Sequence, residues 1–141
     1  MSITKEQAKI VRDLQLKAAA NRQTLIDLTY ESGYSHLGGP LSACDVLTAF
    51  YSHFLRWDKN HLEDPERDRF ILSKGHNACM MYCIFANIGL YDREELFREY
   101  KNYMGRWGEH PTASITPALR SPAVLWDMGF PWQSVWLWQP G

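Results

Sequence analysis

The sequence predicts an α/β fold that is mostly helical and whose sheet is incomplete. Three observations carry this reading. Several stretches show helical apolar spacing, one short apolar run (Arg69 to Ser73) suits a buried strand, and glycine-rich breaks set histidines between the elements. A lone strand has no ladder for its backbone groups, so the rest of the sheet is expected from residues this chain does not supply. With 141 residues the chain has room for one compact domain.

The first helix is predicted from about residue 5 to about residue 31, in one or two pieces. Thr4 and Gln7 form a capping-box start, and Ile10, Val11, Leu14, Ala18, Leu25 and Leu28 recur at helical spacing before Ser32 and Gly33 end it. A loop is expected from Tyr34 to Pro40, where glycines and a proline break the pattern. Ser42, with Asp45 three residues on, reads as the cap of a second helix whose apolar stripe is Val46, Leu47, Phe50 and Phe54. The polar stretch from Asp58 to Arg67 contains Pro65 and reads as a surface loop. After the strand, Gly75 turns the chain into a third helix carrying Met80, Met81, Ile84 and Phe85. Asp92 and Glu95 cap a short fourth helix through Leu96 and Tyr100, and loop follows from Gly105.

Composition excludes several classes. Fifteen basic and sixteen acidic residues give a formal charge of −1, with no basic run interleaved with aromatics, so no nucleic-acid partner is expected. The start, MSITKEQAK, lacks the basic and apolar regions of a signal peptide, and no apolar stretch is long enough to span a bilayer. No membrane contact is expected, and a cytoplasmic location is. Cys44, Cys79 and Cys83 make neither a CxxC pair nor an even disulfide set; Cys79 and Cys83, four apart on a helix, read as core thiols.

Chemistry is carried by three histidines in breaks: His36, His76 and His110. His76 follows the predicted strand and opens a helix, the place where open α/β sheets collect ligands and helix N-termini favour anions. His36 lies among glycines that let a ligand approach the backbone, and His110 precedes Pro111. Histidine is the side chain suited to exchanging protons near neutral pH. A surface role for any single one of them stays open, and no Cys/His pair has metal-ligand spacing. His53 and His61 read as solvated residues.

Three segments carry a family resemblance. They are SHLGGPLSACDVL from Ser35 to Leu47, DRFILSKGHNA from Asp68 to Ala78, and GEHP from Gly108 to Pro111 followed by Ile115-Thr-Pro117. In this order they resemble the N-terminal region of transketolases (GHLGG, DRF.LSKGH and GHP….TPG), with the second the most specific. The resemblance implies a doubly wound thiamine-diphosphate-binding fold. It also implies transfer of a two-carbon ketol unit from a ketose phosphate to an aldose phosphate, as in pentose phosphate metabolism. By the same resemblance His76, with Gly75, contacts the cofactor or its diphosphate, while His36 and His110 handle the donor sugar and move protons. The cofactor supplies the carbanion sink, and the protein supplies orientation and proton transfer.

The implied cofactor is thiamine diphosphate with magnesium or calcium. The metal ligands of the family's GDG…N motif have no counterpart in this sequence, so the chain by itself is expected to be inactive. Lys74, in the SKGH form, is similar to relatives split into two subunits. That implies a partner in the form of a separate C-terminal transketolase subunit, and a homo-oligomeric parent. Ser35 and Glu109 stand where the family has glycine, which bears on the preferred sugar. Two alternatives remain beside this reading: a non-catalytic module that binds a partner, and a related thiamine enzyme such as dihydroxyacetone synthase.

Residues 1–117 are read as the transketolase-like segment and residues 118–141 as an out-of-frame tail. Four of the six tryptophans (Trp126, Trp132, Trp136 and Trp138) crowd into that tail. Joining the third base of each codon to the first two of the next permits GSLGHGLSLAVGMALA from Ala123 onward, close to the family's continuation. Some shifted codons are forced, giving glycine across Trp126-Asp127 and Met128-Gly129, and alanine across Trp132-Gln133 and Trp138-Gln139. Sequencing the coding DNA from the Ile115 codon onward is expected to reveal an open alternate frame encoding GSLGHGLS and then GDG. A closed frame would make the tail genuine.

Overall fold

The computed structural model describes residues 3–33, 36–100, 102 and 107–108. The helix α1 runs from Lys5 to Ser32 as one piece of 28 residues. Its start is the expected capping box: the Gln7 N–H donates to the Thr4 hydroxyl (3.1 Å) and the Thr4 N–H to the Gln7 side chain (2.8 Å). It ends at Gly33 in the left-handed region (φ 70°), where a side chain would be strained. Only the second half of α1 reaches the core, through Ala18, Asn21, Thr24, Leu25 and Leu28.

The helix α2 spans Gly38–Ala49, starting earlier than the sequence predicts. Ser42 is not its cap: it lies inside the helix and its hydroxyl donates to the Gly39 carbonyl (2.7 Å). Glycines and a proline are expected to hold a chain in a loop, yet first-turn N–H groups have no intrahelical partner, so Pro40 costs nothing there. Asp45 instead pairs with Arg22 of α1. The expected apolar stripe divides: Leu47 is buried, whereas Val46 and Phe54 are exposed, because the buried face follows Pro40, Cys44, Leu47 and Thr48. A wide π-helical turn, Phe50–Phe54, extends α2.

The strand expected over Arg69 to Ser73 is not borne out. Among the described residues no strand forms; Arg69 makes one isolated bridge and the chain then runs on without a ladder. The physical reason is the one that makes a lone strand peculiar: its backbone groups need a neighbouring strand, and the described residues fold as helices and loops. What fixes the segment is Asp68. Its N–H donates to the Arg56 carbonyl (2.8 Å) and its carboxylate accepts from the Arg56 N–H (2.8 Å), closing the exposed loop between them. Arg67, buried beside it, donates through Nε to the Leu62 carbonyl (2.7 Å).

A single 3₁₀ turn, Gly75–Asn77, leads into α3, Ala78–Asn87. Every residue from Ala78 to Ala86 is buried. A helix apolar all round must be wrapped on all sides, and α1, α2 and α4 (Arg93–Glu99) pack around it. Each large side chain on it, such as Met80, Met81, Ile84 or Phe85, contributes about 1.5–3 kcal/mol by leaving water. Asp92 caps α4 as expected, accepting from the Glu95 N–H (2.7 Å). Aromatic rings fill the space beside α3: Tyr51 meets Phe85 edge-on at 4.9 Å, and Trp107 meets Tyr91 at 4.7 Å and Tyr82 at 5.2 Å. The three cysteines are free and buried, and desolvation pushes the Cys44 and Cys83 thiols up, away from the thiolate. Among the described residues no helix is long and apolar enough to cross a membrane.

One polar cluster crosses this core. Asn21 donates to the Thr48 hydroxyl (2.9 Å) and its carbonyl accepts from Asn87 (2.8 Å), which also donates to Thr24 (3.1 Å). The cluster thus bolts α1 to α2 and to the end of α3 with its polar groups matched. Replacing Asn21 by Ala strands the partners on both sides and is expected to cost about 1–3 kcal/mol. Gln23→Ala, which touches only the exposed Gln23–Asp27 pair, should stay within about 0.5 kcal/mol. Urea denaturation of both variants checks this, and equal effects would show that the cluster contributes nothing.

Candidate functional site

Two short connections meet at one end of the bundle. His36 and Leu37 precede α2, and Gly75 to Asn77 precede α3, so the packing of α2 on α3 brings the two breaks together. His36 and His76 face each other edge-on with ring centroids 5.5 Å apart. Both residues are exposed, while Gly75 and Asn77 are buried. The Cys79 thiol reaches the His36 carbonyl at 3.9 Å, a long, soft contact that holds the first break against α3. Two of the three predicted histidines, and the predicted Gly75, therefore lie in one place. His110, the third, falls outside the described residues; Trp107 and Gly108 just before it are anchored, with the Tyr82 hydroxyl donating to the Gly108 carbonyl (3.1 Å).

Beside this pair lies the N-terminus of α2. Leu37 stands at the cap position without a capping side chain, and no acidic residue lies in the first turn. Gly38 and Gly39 add no side chain above it. Among the described residues no side chain caps this end; it carries a positive partial charge, with the N–H groups of Gly38 and Gly39 but none from Pro40, and so suits an anionic group. Gly39 has a further reason to be glycine: a Cβ there would overlap the Asn77 amide oxygen and approach His76 Nε2 to 3.3 Å. Asn77 itself is 2% exposed, and its Oδ1 has no hydrogen-bond partner. Neither Gly39 nor Asn77 stands out as a site residue on sequence alone. The one signal that could point to them is a polar side chain immediately after His76, at the entrance to a wholly apolar helix.

A bare helix N-terminus, two histidines and a buried amide oxygen lacking a partner fit a polar, phosphate-bearing ligand. Among the described residues no cluster of histidine, cysteine or carboxylate groups could hold a metal ion.

Comparison with known proteins gives this arrangement its context. Residues 14–121 match the family model described as transketolase, thiamine diphosphate binding domain. The chain belongs to the transketolase family. This transketolase-family chain is similar to one subunit of the apulose-4-phosphate transketolase of Actinobacillus succinogenes, 35% identical over 120 residues that make up 84% of this chain and 43% of the relative. The counterpart from Phocaeicola vulgatus is 32% identical, over 74% of this chain and 37% of the relative. A 6-deoxy-6-sulfo-D-fructose transketolase subunit, SqwG, from a Clostridium species is 38% identical over 60% of the chain and 30% of its own length. Among solved structures, transketolase from Leishmania mexicana has the same fold over 74% of this chain and 16% of that one, with a TM-score of 0.67 at 20% identity. The chain thus spans less than half the length of these relatives.

The close approach at Gly39 is directly testable. Gly39→Ala should destabilise the chain by about 1–3 kcal/mol through overpacking. Combining it with Asn77→Ala should recover most of that loss, because the overlapping atom is gone. Chemical denaturation of the single and double variants reads both values, and strict additivity would show that the two residues do not touch.

Proposed function

We propose that this chain supplies the cofactor-facing part of a two-subunit transketolase, which moves a two-carbon ketol unit from a ketose phosphate to an aldose phosphate. The observation that carries the proposal is the pairing of His36 with His76 over the uncapped N-terminus of α2. Membership of the thiamine-diphosphate-binding family, and the names of the relatives as transketolase subunits, point the same way. When bound, thiamine diphosphate supplies the carbanion sink for the carbon–carbon chemistry. His76 and Gly75 hold the diphosphate end, where the N–H groups of α2 add positive potential. His36, and His110 beyond the described residues, orient the donor sugar and hold or move its hydroxyl proton.

The GDG…N motif whose residues would hold magnesium or calcium at the diphosphate has no counterpart among these 141 residues, and in this reading the 141-residue chain alone would not turn over substrate. A separate C-terminal transketolase subunit completes the enzyme, and the intact parent assembles from repeated copies of that pair. Three buried free thiols support a reducing, cytoplasmic setting. Residues 118–141 are an out-of-frame product and take no part.

The test is a titration of the full chain with thiamine diphosphate, followed by phosphorus NMR and by thermal shift. Wild type should bind weakly, without help from magnesium, and His76→Ala should weaken binding roughly tenfold, as the loss of a charge-assisted hydrogen bond does. Absence of binding by wild type would favour a partner-binding module. Equal binding by His76→Ala would remove His76 from the diphosphate site.

A further inference from the structure

We propose that Asn77 is an additional ligand-binding residue of this site, its amide contacting the phosphate-bearing ligand above the first turn of α2. The proposal rests on the cofactor reading given above. It begins with an absence of ordinary work. Asn77 occupies the N-cap position of α3, where an asparagine side chain normally accepts from the backbone N–H two or three residues on, yet it makes no capping hydrogen bond. Its backbone N–H is already satisfied by the Lys74 carbonyl (2.9 Å). The side chain, 2% exposed, ends in an oxygen without a partner. Buried polar groups are almost always paired, and one left unpaired points to strain, a missing water or a ligand.

Its direction selects the ligand. The amide oxygen fills the space that a side chain on Gly39 would take, so it stands over the N-terminal turn of α2. Among the described residues that turn has no side-chain cap and no acidic residue, and the His36–His76 pair borders the same space. Three polar features drawn from two helices and two loops therefore converge. In the free protein the amide oxygen faces the positive end of α2, which is electrostatically favourable without forming a hydrogen bond. A primary amide carries an acceptor and a two-hydrogen donor on one planar group, and a half-turn about its last torsion exchanges them. When a phosphate oxygen enters, Nδ2 donates to it alongside the N–H groups of α2. Gly39 makes the arrangement possible, since any larger residue would displace the amide.

Two phosphates could take this contact, that of the cofactor and that of a sugar substrate, and the shared chemistry is a phosphate oxygen accepting from Nδ2. The test uses the full chain as wild type, Asn77→Ala and Asn77→Asp, each titrated with thiamine diphosphate, inorganic pyrophosphate and ribose 5-phosphate. Unliganded thermal stability should be unchanged or higher in Asn77→Ala, because a polar group without a partner has been removed. Its phosphate affinity should fall roughly tenfold. Asn77→Asp, of the same size, should lose more at neutral pH, because a carboxylate cannot donate and repels the anion. Parallel loss of thiamine diphosphate and pyrophosphate identifies the cofactor's diphosphate as the contact, and a loss confined to ribose 5-phosphate identifies the substrate's. Unchanged affinity in Asn77→Asp overturns the proposal while leaving the cofactor reading intact, even if Asn77→Ala fails to fold. A less stable Asn77→Ala with unaltered affinity makes the residue structural and also overturns it. Failure of wild type to bind any of the three overturns both readings together.

Discussion

Everything in this structure is arranged around a helix that has no outside. From Ala78 to Ala86 every residue of α3 is buried, so no face is left over to be polar, and three other helices cover it. In a core this apolar, register is set by the fit of side-chain shapes, with few hydrogen bonds to reinforce it. The polar cluster of Asn21, Thr24, Thr48 and Asn87 supplies that reinforcement. Its hydrogen bonds are satisfied in one register only, which fixes how far α1 and α2 slide along α3.

That register matters because the site is built on the ends of the same helices. His76 and Asn77 are the last residues before α3 enters the core, and His36 is separated from α2 by a single residue. Each break, among the described residues no longer than a single turn, takes its position from the helix behind it. The histidine pair is thus set by packing at the other end of the bundle, and the Cys79 thiol touching the His36 carbonyl adds a short local tie. Functional groups on short breaks between rigid helices can be exposed without being loose.

What could be read from the sequence follows from how local its causes were. The capping box at Thr4 and the cap at Asp92 involve side chains and backbone three residues apart, and both are present as read. The start of α2 is hidden because Gly38, Gly39 and Pro40 punctuate a chain in most settings but are tolerated in a first helical turn. The strand at Arg69 to Ser73 is an inference from apolar composition, and a strand is a property of pairs, which composition does not report. The meeting of His36 with His76 is legible only through the family motifs, since a long stretch of sequence separates them. The tension between Gly39 and Asn77 is not legible at all, because it exists only where two helix ends approach.

The uneven burial of α1 gives the chain a direction. Between Lys5 and Lys17 no side chain is buried, whereas Ala18 to Leu28 lie against the core. The first turns are held by backbone hydrogen bonds, the capping box and surface pairs such as Asp13–Lys17, so they open and close by fraying rather than by unfolding the domain. Amide protons along this one continuous helix will therefore exchange with solvent as a staircase, quickly near Lys9 and only through global opening near Leu25. A protease working inward from the N-terminus would meet light resistance at the half-buried Ile10 and Leu14 and a firm barrier only at Ala18, where full burial begins.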